Sequence, residues 1–418
     1  MIRSLFVQVK TRQRLEDGPL GPCLESLAKV LHREDYKDRI IRRYLRNADL
    51  FGRWLAKQAI PIEAVDDTAV NQYINSFQRL KHPLRATGCL PENARGIHKI
   101  LAVLRQQGIV PAPTPPEPST TAERWLKEFA DHLEREAGLA SGTRHNYLRY
   151  AEALIDARFG AAEPDWGALS ADDVTGFVCE QAARLKHSSA QSPVTATRAF
   201  IRFLSLKGVV HPGLVGAVPT VRRYKQVSLP NYLSQEEVAR VLVSCDENTP
   251  LGQRNRAIII LLARLGLRAA EVSRLRLEDI DWQEGCVLIR AGKSACERSL
   301  PLPQDVGDTL SGYLQHARPQ SSHGELFLRA RPPHTPLKSC AVSSMARQLL
   351  QHSGVSGVRL GSHVFRHTAA TRMVQNGASF KEVADVLGHA CLDTTFIYAK
   401  LDLPTLAQVA LPWPGGAS

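Results

Sequence analysis

From Pro111 to Pro118 the chain reads Pro-Ala-Pro-Thr-Pro-Pro-Glu-Pro, with five prolines in eight residues. Each proline fixes φ and lacks a backbone donor, so neither a helix interior nor a central strand can run through this stretch. An extended, semi-stiff linker is expected over residues 111–120, with separate folding units before and after it. Before it, residues 1–110 read as a helical domain in which Leu24, Leu27, Val30, Leu31, Tyr44, Leu45, Phe51, Trp54 and Leu55 are spaced for packing. After it, residues 121–210 repeat the pattern. Tyr44-Leu-Arg46 matches Tyr147-Leu-Arg149, Asp67-Thr-Ala-Val70 matches Asp172-Asp173-Val174, and Gly108-Ile-Val matches Gly208-Val-Val. The offsets of 103, 104 (for the valines) and 100 suggest two copies of one small helical unit, with chance similarity between amphipathic helices as the competing explanation.

Residues 211–232 contain Pro, Gly and the basic run Arg222-Arg223-Tyr224-Lys225, which reads as a hinge able to track phosphates or as plain solvation. Ser234-Gln-Glu-Glu237 is a capping box and opens a last domain, residues 233–418. At 418 residues and 44% hydrophobic, with no long uncharged apolar run, the chain is expected to be a soluble globular protein of two to three domains, without a membrane anchor or secretion signal. A net charge of +12 favours an acidic polymer as partner, with solubility alone as the other use of a basic surface. Eight cysteines with no Cys-x-x-Cys pair argue against a zinc module and a disulfide framework, and imply reduced thiols in a cytoplasmic protein.

Chemistry concentrates between His363 and Tyr398. Ala369, Ala370, Met373 and Val374 recur with helical spacing after Arg366, and Gly377 occupies a C-cap position. Ser379 and Glu382 then open a second helix with the stripe Phe380, Val383, Ala384, Leu387, which Gly388 ends. His389 follows that terminus. Asp393 or Thr394 can cap a further short helix, placing Tyr398 on a mobile surface element. His363 and Arg366, three apart across a helix start, can point at one spot. His363 and His367 at i, i+4 lack the following Glu of a zinc-protease helix and an evident third ligand, so no metal is expected.

The series His363-x-x-Arg366, Gly388-His389 and Tyr398 resembles the tyrosine recombinases, the phage integrase family. Gly266-Leu-Arg268-Ala-Ala-Glu271 is similar to the family's first-arginine motif, and Gly292-Lys293 followed by Arg298-Ser-Leu-Pro301 resembles its hairpin lysine. The strand-like segments Cys286–Arg290 and Arg298–Leu302 flank that lysine, although Ser294-Ala-Cys-Glu297 is poorer in Gly and Lys than the family's turn. The resemblance spans roughly residues 230–402 and fills six catalytic positions in order: Arg268, Lys293, His363, Arg366, His389 and Tyr398. It implies a mainly α fold with a small antiparallel sheet, helical N-terminal domains closing on DNA as a clamp, and a core-binding role for residues 121–210. There Arg144, Arg198 and Arg202, with Arg222, Arg223 and Lys225 of the hinge, are the candidate DNA contacts. The implied partner is double-stranded DNA in the nucleoid, bound by a homo- or hetero-oligomer, a tetramer in the family. The implied reaction cuts and rejoins DNA through a 3′-phosphotyrosine for integration, excision or transposition, without a cofactor. A type IB topoisomerase, or a DNA-binding module without catalysis, are the alternatives.

Overall fold

The computed structural model describes residues 1–78, 96–112, 119–185, 189–220, 230–292, 297–358, 360–389 and 391–401. The described residues are mainly helical with one three-stranded antiparallel sheet. It divides into two compact units, one of residues 1–112 with 228–418 and one of residues 113–227.

The second unit is helical and closes on an apolar core that includes Phe129, Leu154, Phe177, Phe200 and Phe203. Its helices start where the sequence supplies caps: Thr120 and Glu123 bond reciprocally ahead of the Thr121–Arg135 helix, as do Ser170 and Asp173 ahead of Ala171–Ala183. Each such cap satisfies backbone N–H groups that a helix start leaves without partners.

In the first unit, residues 2–110 pack on a core of their own, including Leu24, Leu45, Phe51 and Tyr73. Residues 233–365 build a larger core around the Pro250–Arg264 helix. Every residue from Ala257 to Ala263 of that helix is buried, so this part of it is apolar all round rather than along one stripe. The Gln304–His316 and Ser362–Gln375 helices pack against it. Full burial of side chains such as Leu261 and Phe365 contributes about 1.5–3 kcal/mol each.

The sheet runs β1 (Ile280–Asp281), β2 (Cys286–Ile289) and β3 (Arg298–Pro301) in spatial order. Val287 pairs with Leu300 and Ile289 with Arg298. Successive side chains alternate between faces, so Val287, Ile289 and Leu300 are buried while Ser299 is exposed. The two expected strands form, and β1 joins them. Lys293, between β2 and β3, lies outside the described residues.

Candidate active site

The site grows around the C-terminus of the Phe380–Leu387 helix. Ser379 and Glu382 cap its start, and Gly388 ends it at φ +63°, a conformation that favours glycine. The last carbonyls of a helix have no partner within it and form the negative end of its dipole. Three guanidiniums meet that need. Arg298 Nε donates to the Val386 carbonyl at 2.7 Å, Arg366 Nη2 to Leu387 at 2.7 Å, and Arg268 Nη2 to Gly388 at 3.2 Å. Residues distant in sequence thus converge just ahead of His389.

Arg366 sits in the second turn of the Ser362–Gln375 helix and is 4% exposed. Its Nη1 donates to the Gly266 carbonyl at 2.8 Å. That carbonyl comes close because residue 266 has no side chain: a Cβ there would stand 2.6 Å from a Leu387 methyl, and φ is +63°. The two carbonyl bonds use two of the five N–H donors of Arg366. Burial, with Arg268 nearby, lowers its pKa to about 10.

Arg268 is the N-cap of the Ala269–Arg274 helix, as the sequence placed it. Glu271 holds it. One carboxylate oxygen accepts from the Arg268 backbone N–H at 2.8 Å, and the other from Arg268 Nη1 at 2.9 Å. The same carboxylate accepts from Arg298 at 3.1 and 3.3 Å. Burial would raise the Glu271 pKa, yet bonds from Arg298 and Arg268 outweigh it and keep the group below its ordinary range. Glu271 therefore ties the helix start at Arg268 to strand β3.

His363, Arg366 and His367 stand at i, i+3 and i+4, on one face of their helix. His363 is exposed. His389 is half-buried, and its Nδ1 shares a hydrogen bond of 2.7 Å with Thr395 Oγ1. Desolvation, then the charges of Arg366 and Arg268, bring its pKa down to about 4, so it is a neutral imidazole near pH 7.

Tyr398 differs from expectation. The short helix expected to carry it forms as a 3₁₀ segment, Phe396–Leu401, behind another at Leu392–Thr394. The phenol is 1% exposed rather than on a mobile surface element. Its ring packs with Ala370, Val374, Val383 and Leu387, and apolar burial of so large a ring outweighs exposure. The hydroxyl finds its partner in His367 Nδ1, 2.9 Å away. Burial raises the phenol pKa to about 12, while Arg366 acts in the opposite sense. His367, desolvated and next to His363 and Arg366, falls to about 4.

Sequence reasoning passed over His367, Glu271 and Arg298 as site residues. The i, i+4 spacing of His363 and His367 was visible, but only the fold shows which ring faces Tyr398. Among the described residues, no group of three His, Cys, Asp or Glu side chains gathers in a way that could hold a metal ion. In the second unit, Arg144 pairs with Glu134, and Arg198 Nη2 donates to the Val218 carbonyl at 3.1 Å. Arg202 is exposed. Arg222, Arg223 and Lys225 lie outside the described residues.

The pattern of the Phage integrase family matches residues 231–403, and that of the phage integrase N-terminal SAM-like domain matches residues 126–208. A Sinorhizobium fredii protein named as an integrase/recombinase, y4rA, is 34% identical over 97% of this chain and 97% of its own length. The chain belongs to the phage integrase family of tyrosine recombinases, which cut and rejoin DNA. Tyrosine recombinase XerC of Lactobacillus delbrueckii is 30% identical over 67% of this chain and 95% of its own. The fold is shared with solved recombinases. XerH bound to a palindromic difH substrate matches with a TM-score of 0.56, at 18% identity, over 84% of this chain and 99% of that one. A lambda integrase dimer bound to a core site matches at 0.53 and 17% identity, over 67% and 94%.

Proposed function

We propose that this tyrosine recombinase uses Tyr398 as its nucleophile, with Arg268, Lys293, His363, Arg366 and His389 around the scissile phosphate of duplex DNA. The observation that carries the reading is the convergence of Arg268 and Arg366 on the carbonyls of residues 387 and 388, beside His389. Attack on a phosphodiester builds negative charge on the non-bridging oxygens, and planar guanidinium forks can hold those oxygens by paired charge-assisted hydrogen bonds. The Tyr398 oxygen bonds to phosphorus as the bond to the 5′ oxygen breaks. His363 takes the phenolic proton, Lys293 gives one to the departing 5′ oxygen, and His389 donates a hydrogen bond to the phosphate. The product is a 3′-phosphotyrosine and a free 5′ hydroxyl. Attack by a 5′ hydroxyl from another duplex reverses the chemistry and rejoins the strand, so no nucleotide is consumed.

Moving the phenol pKa from 10 to about 12 adds about 2.7 kcal/mol to its ionisation. Burial against His367 thus disfavours the phenolate at rest, and in this reading Tyr398 moves from that pocket to the phosphate beside Arg366 when DNA binds. Coupling that movement to DNA binding would restrict cleavage to an assembled complex.

Integration, excision or transposition of a mobile element is the work we assign, performed by a tetramer on DNA in the cytoplasm. Recombinase relatives, and a transposon integrase of the same fold bound to a circular intermediate DNA, support this reading. Among the described residues no helix is long and apolar enough to cross a membrane. Arg202, exposed on the Gln191–Leu206 helix, and the hinge cations are the further phosphate contacts we assign.

The test is strand transfer between two labelled duplexes, scored beside relaxation of a supercoiled plasmid. Joined product carrying strands from both duplexes is the expected result. Relaxation without any exchanged product would support the topoisomerase alternative and refute recombination.

A further inference from the structure

The two helical regions share buried positions in three stretches. At an offset of 103, Asn47, Ala48 and Phe51 of the Asp38–Lys57 helix match Tyr150, Ala151 and Leu154 of the Ser141–Phe159 helix, and all six are buried. At 104, Val65, Val70, Tyr73 and Ile74 match Leu169, Val174, Phe177 and Val178, again all buried. At 100, Ile100, Leu101, Val103, Leu104 and Val110 match Phe200, Ile201, Phe203, Leu204 and Val210, likewise buried. The turn after the third set repeats too: Gly108 and Gly208 have φ of +71° and +73°, and the next residue donates back to Leu104 and Leu204 respectively. Chance similarity between amphipathic helices does not account for burial, turn and hydrogen bonds repeating together in three successive stretches.

What the copies do not share is their outer charge. Residues 21–110 hold 15 Lys and Arg against 9 Asp and Glu, a net +6, while the matching residues 121–210 hold 11 against 12. The difference is concentrated on one helix face. Arg39, Arg42, Arg43, Arg46, Arg53 and Lys57 recur at helical spacing along Asp38–Lys57, and all but the half-buried Arg43 are exposed. Their counterparts at an offset of 103 are Gly142, His145, Asn146, Arg149, Asp156 and Gly160. Six cations stand where the second copy has one arginine, one histidine and an acid. Arg53 pairs with Asp49 at 2.9 Å, whereas the other five have no carboxylate partner among the described residues.

We propose that residues 1–112 are a second copy of the helical module whose Asp38–Lys57 face binds the phosphate backbone of duplex DNA. This rests on the reading that duplex DNA is the substrate and adds a contact surface to it. From Arg39 to Lys57 the stripe spans about 27 Å of helix, enough to follow several phosphates. The binding is by charge, so it adds grip on DNA of any sequence and leaves site selection to other contacts.

The test is a salt titration of full-length protein on a labelled duplex of arbitrary sequence. The variant carries Arg39→Gln, Arg42→Gln, Arg43→Gln, Arg46→Gln and Lys57→Gln together, all at partly or fully exposed positions. With each phosphate contact contributing about 0.9 to the slope of log affinity against log salt, its slope should be flatter than the parent's by up to about 4.5. A companion with Arg39→Lys, Arg42→Lys, Arg43→Lys and Arg46→Lys keeps the charge and should keep the parent slope. Circular dichroism confirms that both variants are folded. An unchanged slope in the Gln variant overturns the proposal. So does an unchanged slope with lost self-association, which would make the face a protein contact. Covalent adduct formation by the parent is scored separately, so failure of strand cleavage and failure of this surface give different results.

Discussion

Replacing Glu271 with glutamine removes the negative charge that faces Arg268 and Arg298 and turns one of its two acceptor oxygens into a donor amide. The carboxylate accepts four hydrogen bonds, at 2.8, 2.9, 3.1 and 3.3 Å. Removing one partner from a buried ion pair costs about 3–5 kcal/mol, because the opposite charge stays buried without compensation. The side chains of Glu271 and Arg298 are 11% and 10% exposed, but that of Arg268 is 30% exposed and can recover water. The lower figure, about 3 kcal/mol, follows. At about 2–4 °C per kcal/mol for a domain of about 150–250 residues, the range into which residues 233–418 fall, Glu271→Gln should melt about 6–12 °C below the parent. The pKa of Glu271 is lowered in the folded protein, so its contribution is complete above the ordinary glutamate value of about 4.3 and is lost as pH falls through the folded value. The gap between variant and parent should thus be full at neutral pH and close in acid. Added inorganic phosphate should stabilise the variant more than the parent, since Arg268, Arg298 and Arg366 then lack the carboxylate. Thermal unfolding followed by near-ultraviolet circular dichroism, with and without phosphate, measures all three. A melting point within 2 °C of the parent at neutral pH, or a gap that persists undiminished in acid, would refute the reasoning.

His363→Ala should slow adduct formation on a nicked duplex by about 10²- to 10⁴-fold, whereas His367→Phe should still form adduct, because His367 holds the resting phenol. An equal loss in His367→Phe would reassign the base. Lys293→Ala should lose about 10²- to 10⁴-fold on an ordinary duplex and recover nearly the parent rate when sulfur replaces the bridging 5′ oxygen, since a thiolate leaves without a proton. Arg268→Ala should not recover on that substrate; absence of rescue for Lys293→Ala would make Lys293 a phosphate contact. Cleavage should persist in excess chelator, and a loss restored only by a divalent cation would contradict a mechanism run by the protein's own cations.

The helices that carry the site were legible because apolar period and caps agreed. The Ser379 and Glu382 box, the stripe ending at Leu387 and the turn at Gly388 were all readable from local chemistry. Arg268 at a helix start was readable for the same reason. The role of the helix end was not: bonds from Arg298, Arg366 and Arg268 to carbonyls 386, 387 and 388 span up to 120 residues. Tyr398 was misplaced because Asp393 and Thr394 suggested a solvent-facing helix, while the deciding term was apolar contact with Val374, Val383 and Leu387 from two other helices. Strand β1 escaped notice because two residues carry no period.

Tyr398 as nucleophile is tested most directly by trapping on a nicked suicide duplex, where the short 5′ fragment diffuses away and leaves the protein joined to DNA. After proteolysis, mass spectrometry of the DNA-bearing peptide locates the link. The parent should accumulate adduct with the phosphate on Tyr398, and Tyr398→Phe should bind the same duplex with parental affinity and yield none. Adduct in the Phe variant, or a phosphate found on any other residue, would contradict the assignment.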